Sequence, residues 1–182
     1  MAAASRSTSD ALQLSFFEWF GLPERFSIDS SSLDSAFRSV QARVHPDRFT
    51  QALAAERRLA MQLATRANEA YQTLRDPVRR ARYLCERHGV DVGIQTNTAM
   101  PADFLMQQMH WREALDEAKA SRLPAAFGAL EVELSDERGR LLAALQSALD
   151  EALDHAAAAA LVRKLMFVER FAQELSDAQE PV

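Results

Sequence analysis

Glycine and proline are scarce in this chain of 182 residues, with 5 and 6 copies, and β-branched residues are few. That composition disfavours strands and leaves helices as the building elements. Cysteine occurs once, at Cys85. A single thiol excludes an internal disulfide and a cysteine-cluster metal site, and it fits a reducing compartment. The longest apolar run covers only residues 156–162, far short of the ~20 residues needed to span a bilayer. The first residues also lack the apolar segment of a secretory signal. A cytoplasmic protein with no membrane partner is therefore expected. What is present is apolar residues, 48% of the chain, enough for one core or two small ones.

Charge is divided unevenly. Residues 38–87 hold 11 arginines against 5 acids, whereas residues 101–182 hold 8 basic residues against 15 acids. A basic half and an acidic half suit two surfaces for two partners, although two merely solvated faces would give the same tally.

The chain reads as helices throughout. Residues 1–13 are small and polar, so no fixed structure is expected there. "LSFFEWFGLP" is a short aromatic helix or turn closed by Gly21 and Pro23. Asp29 is placed to cap a first long helix, in which Leu33, Phe37, Val40 and Val44 recur as an amphipathic stripe. Pro46 ends that helix near Val44 or His45. A second long helix is expected from Ala52 to Leu74, with its stripe on Leu53, Ala60, Leu63, Ala64, Ala67, Ala70, Tyr71 and Leu74. Asp76-Pro77 stops it and opens a shorter helix to His88, with Gly89 as its C-terminal cap. Residues 89–100 are turn-rich and read as a linker. Three further helices follow, at about 102–120, 124–153 and 155–176, the last capped by Asp154. The expected fold is all-α, a helical hairpin followed by a three-helix bundle, with domains at 14–88 and 101–178.

The hairpin is interrupted by "RVHPDRF". His45 and Asp47 as catalytic or metal-binding groups would need three or four convergent ligands, and His88, His110 and His155 show no ligand spacing with His45. A plain polar turn with Asp47 as a cap is a second reading. A third is a docking element: Pro46 stiffens the loop and fixes where His45 and Asp47 point, so little entropy is lost on binding.

"FRSVQARVHPDRF" followed by "RANEAYQTLRDPVRRARYL" resembles the J-domain family, whose signature is His-Pro-Asp between two antiparallel helices. That resemblance implies docking on a DnaK-type ATPase chaperone and acceleration of its ATP hydrolysis. His45, Pro46 and Asp47 would form the essential loop, and Arg38, Arg43 and Arg48 the basic docking face. The chain would then be no enzyme, with no active site, metal or cofactor of its own. "ADFLMQQMHWREALDE" and "VRKLMFVER" further resemble the HscB-type co-chaperones of iron–sulfur cluster biogenesis. These present an IscU-type scaffold protein to the chaperone HscA.

On a helical wheel, Phe104, Trp111, Leu115 and Ala118 form one stripe. Leu105, Met106 and Met109 fall on another side, together with His110, Glu113, Asp116 and Glu117. Burial on two sides of a bundle would account for both apolar faces. Carboxylates are rarely buried unpaired, however, so the mixed face reads as an exposed patch awaiting a partner. In the last helix Leu161, Leu165, Val168, Ala172 and Leu175 form the expected core stripe, and Phe167 lies about 120° from it. The family resemblance places Leu105, Met106, Met109, His110, Glu113, Glu117 and Phe167 in one scaffold-binding patch. His110 departs from the acid expected at its position, which puts one ion pair in doubt or makes it pH-dependent. Other readings remain: a J-domain adaptor for a different client, an Arg-rich nucleic-acid-binding protein, and, more distantly, a metal hydrolase. Against nucleic acid, the arginines are spread over three helices and base-stacking aromatics are scarce there. Cys85, beside Tyr83 and Leu84, reads as a small buried side chain rather than a reactive thiol.

Overall fold

The computed structural model describes residues 14–44, 53–93 and 100–179. Residues 1–13, residues 45–52 with His45, Pro46, Asp47 and Arg48, residues 94–99 of the expected linker and residues 180–182 lie outside the described residues. The described chain is all-α, with no strand: α1 (Phe16–Phe20), α2 (Ser30–Val44), α3 (Ala54–Arg75), α4 (Pro77–Arg87), α5 (Ala102–Ser121), α6 (Pro124–Gln146) and α7 (His155–Gln179). No described helix is long and apolar enough to cross a membrane. Two compact units divide the chain between Tyr83 and Leu84, within α4.

Helix starts follow from local chemistry. Ser15 and Glu18 exchange hydrogen bonds at the start of α1: the Glu18 N–H donates to Ser15 Oγ, and the Ser15 N–H to Glu18 Oε2. Asp29 accepts from the Ser31 and Ser32 amides and hydroxyls, as its capping position predicts. The Ser32 hydroxyl above all, then that of Ser31, holds the Asp29 carboxyl down at about 2. At α7, Asp154 Oδ1 accepts from the Ala157 amide at 2.9 Å. Gly89 closes α4 at φ +75°, where a side chain would be strained.

In the first unit α2 and α3 pack together, and α1 packs on both. Small side chains set the spacing: Ala60, Ala67 and Ala70 are buried along α3 beside Tyr71 and Leu74. Aromatic side chains supply the bulk. Phe16 stacks on Tyr83 at 4.4 Å, and Phe37 on Tyr71 at 4.0 Å with Phe20 edge-on. Each tyrosine keeps its hydroxyl paired. The Phe16 N–H donates to Tyr83 Oη, and Tyr71 donates to Asp34 Oδ1, which raises the Tyr71 phenol above its usual range. Leu53, expected at the head of the α3 stripe, is instead exposed. It precedes the first helical turn, where its amide donates to Glu56 Oε2, so its side chain never joins the inward ridge.

In the second unit α6 packs against both α5 and α7. The expected 124–153 helix is shorter than that. α6 ends at Gln146, a π-helical turn covers Ser147–Glu151, and Leu153 adopts a positive φ before Asp154 opens α7. Residues 84–93 belong to this unit. The Cys85 thiol faces the His155 carbonyl oxygen at 3.6 Å, the His88 and His155 rings stack at 3.8 Å, and Arg163 donates to the Val92 carbonyl at 2.9 Å. Burial pushes the Cys85 thiol up to about 11.

Candidate functional site

Arg38 and Arg43 are both exposed on α2. They fall about 140° apart at 100° per residue, so α2 carries them on separate ridges rather than one. The Arg38 Nη2 donates to Ser35 Oγ at 3.2 Å. The remaining expected members of this surface, His45, Pro46, Asp47 and Arg48, lie outside the described residues.

The surface on α5 is described in full. Its inward ridge is the expected one: Phe104, Trp111, Leu115 and Ala118 are all buried. Leu105, Met106 and Met109 stand 46%, 66% and 63% exposed on the other side. His110, Glu113, Asp116 and Glu117 are exposed among them. Three large apolar side chains thus face solvent within two helical turns, interleaved with carboxylates. Unbranched methionines adapt to varied partner shapes, which suits such a face to binding.

The two flanks of this face differ. Toward α7, Arg112 reaches Glu174 at 3.5 Å and lies over the Phe171 ring, and Lys164 lies over the Phe104 ring at 5.1 Å. Toward α6, His110 Nε2 lies 3.6 Å from Glu133 Oε2.

Phe167 departs from expectation. Its ring is half-buried and meets Phe104 edge-on at 5.8 Å, with Trp111 at 6.4 Å and Phe171 at 6.0 Å stacked beside it. Its place about 120° from the expected core stripe gives no sign of this cluster. The reason is that α7 packs against two helices, so its buried arc is wider than one stripe. Val162 and Phe171 are buried, whereas Leu161 is only half-buried and Ala172 is exposed. Phe167 sits at the edge of that arc next to Phe171, its side chain contributing to the cluster while remaining partly open to solvent.

Co-chaperone protein HscB homolog from Bordetella pertussis is 58% identical to this chain over 163 residues, covering 90% of the chain and 95% of the relative. The chain belongs to the HscB co-chaperone family. A Burkholderia mallei HscB homolog is 54% identical, over 91% of the chain and 94% of the relative. Residues 100–176 match the HSCB C-terminal oligomerisation domain. Chaperone HscB from Vibrio cholerae superposes with a TM-score of 0.78 at 38% identity, covering 90% of this chain and 96% of that one. Human co-chaperone protein HscB superposes at 0.86 with 25% identity, over 93% and 84%.

Among the described residues of this HscB-family chain, no group of three or more His, Cys, Asp and Glu is placed to hold a metal ion. Glu133, Arg112 and Lys164 border the α5 face without having been singled out from the sequence. Glu133 was findable. The short connection at Arg122 and Leu123 turns α6 back along α5, so residues at similar distances from that turn come side by side, as His110 and Glu133 do.

Proposed function

We propose that this HscB-family chain delivers an IscU-type iron–sulfur scaffold protein to a DnaK/HscA-type ATPase chaperone and stimulates that chaperone's ATPase, aiding cluster transfer. The observation that carries the reading is the α5 face, with Leu105, Met106 and Met109 exposed among Glu113, Asp116 and Glu117. An apolar strip with an acidic border favours a folded protein partner whose own patch is apolar with a basic rim. In this reading Phe167 lends the edge of its ring to the same patch, and His45, Pro46 and Asp47 with Arg38, Arg43 and Arg48 engage the chaperone. The chain works in the cytoplasm as an adaptor, without an active site or cofactor of its own and without nucleic acid or membrane as a partner.

The test measures binding of purified chain to an IscU-type scaffold by calorimetry, and chaperone ATPase with chain alone and with chain plus scaffold. Binding of the scaffold and a further rise in ATPase when both are present is the expected result. No scaffold binding would move the chain to a J-domain adaptor for another client.

A further inference from the structure

We infer that His110 makes the grip of the α5 face on its partner depend on pH, weaker in mild acid and stronger in mild base. The inference rests on the reading of that face as the scaffold-binding surface and concerns its regulation.

The geometry is specific. His110 is exposed one residue after Met109 and lies on the flank of α5 that faces α6. Its Nε2 is 3.6 Å from Glu133 Oε2, with the two side chains 64% and 51% exposed. The charges facing it are nearly all negative. On α5 these are Glu113, one turn on, and Glu117, two turns on, with Asp103 two turns back. On α6 they are Glu133 and, one turn on, Asp136, and Arg140 two turns beyond Glu133 is held by Glu137 at 3.0 Å. α7 lies along the opposite flank of α5, where Arg112 meets Glu174.

Histidine is the side chain that changes charge within the range from pH 5 to pH 8. When His110 is neutral, the contact with Glu133 is a polar contact only, and the border of the apolar strip carries the full charge of its carboxylates. When His110 is protonated, the contact becomes an ion pair across α5 and α6, and one positive charge enters the border. A partner whose rim complements those carboxylates is basic. The protonated imidazole therefore both neutralises Glu133 and repels the partner's nearest cation. Because His110 and Glu133 are both largely exposed, the effect is modest. An affinity ratio of about threefold between pH 8.0 and pH 5.5 is expected from one solvent-screened charge, shrinking as salt rises.

The experiment titrates an IscU-type scaffold into wild type, His110→Gln and His110→Arg at both pH values and at low salt. Taking the ratio of wild-type to variant affinity at each pH cancels titration of the scaffold and of every other group. The expected result is a wild type that matches His110→Gln at pH 8.0 and falls about threefold below it at pH 5.5. His110→Arg should be weak at both. Variants that all bind with superposable pH profiles would overturn the inference while leaving the scaffold reading intact. No binding by any of the three at either pH would overturn that reading and the inference with it.

Discussion

The two units solve the problem of carrying a working surface in different ways. In the first, buried alanines, aromatic rings and leucines form the core, and the two described members of the expected docking surface are exposed. Arg38 and Arg43 are exposed on α2, the helix whose Leu33 and Val40 are buried. In the second, the exposed strip and the core share a helix and nearly share a residue. Leu105 follows the buried Phe104 directly, and Phe167 belongs to the same ring cluster as Trp111 and Phe171. A surface detached from its core can be altered without cost to folding. A surface that runs into its core cannot be altered everywhere, and the position of each residue decides which property fails.

The largest expected effect tests the proposed chaperone-docking surface. His45→Gln should abolish stimulation of the partner chaperone's ATPase while leaving helicity and melting temperature unchanged. A variant that stimulates as well as wild type would remove the chaperone-docking role from the comparison.

Next comes the shared residue. Phe167→Ala should destabilise the chain by about 2 kcal/mol, less than a fully buried phenylalanine costs because its ring is only half covered. It should also weaken scaffold binding. A urea midpoint equal to wild type would show the ring to be a contact residue alone.

Met106→Ala with Met109→Ala should separate the two properties within the second unit. Interface anchors typically cost about 1–3 kcal/mol when truncated, so the pair should bind the scaffold about tenfold more weakly. Both side chains are well exposed and alanine is a strong helix former, so the urea midpoint should not move. A fall in stability matching that of Phe167→Ala would erase the distinction between strip and core.

The smallest effect concerns folding in the first unit. Asp29 has a folded-state carboxyl near 2 against an ordinary 3.8. A depressed value means that its contribution is present above about pH 4 and is lost as pH falls toward 2. Asp29→Asn should therefore unfold more readily than wild type at neutral pH. The gap, followed by circular dichroism, should narrow between pH 4 and pH 2. A gap that widens on acidification would contradict the capping role.

How much of this was legible depended on whether one helix or two decided a position. The inward ridge of α5 could be read from spacing alone, because one apolar arc of Phe104, Trp111, Leu115 and Ala118 meets the bundle. So could the caps at Asp29 and Asp154, where a side chain answers amides two or three residues away. Phe167 could not, because its environment is set by α5 and Phe171 together. A single-stripe wheel leaves out Val162 and Phe171, both of which are buried, Phe171 against Trp111 of α5. The end of α6 was also hidden. Between Gln146 and Leu153 the sequence offers no glycine or proline, and the π-helical turn has no local signature. The Glu133 contact required the register of α6 on α5, which follows from the turn at Arg122 once its tightness is known.

The burial of Cys85 has a consequence for chemical selectivity. Iron and its sulfide clusters are captured by thiolates, not by thiols. A thiol raised to about 11, fully covered and directed at a main-chain oxygen, stays protonated at any physiological pH. The chain's one sulfhydryl is thus kept out of reach of metal and oxidant alike. In the proposed role, such a carrier handles a cluster-bearing protein without becoming a competing ligand for what that protein holds.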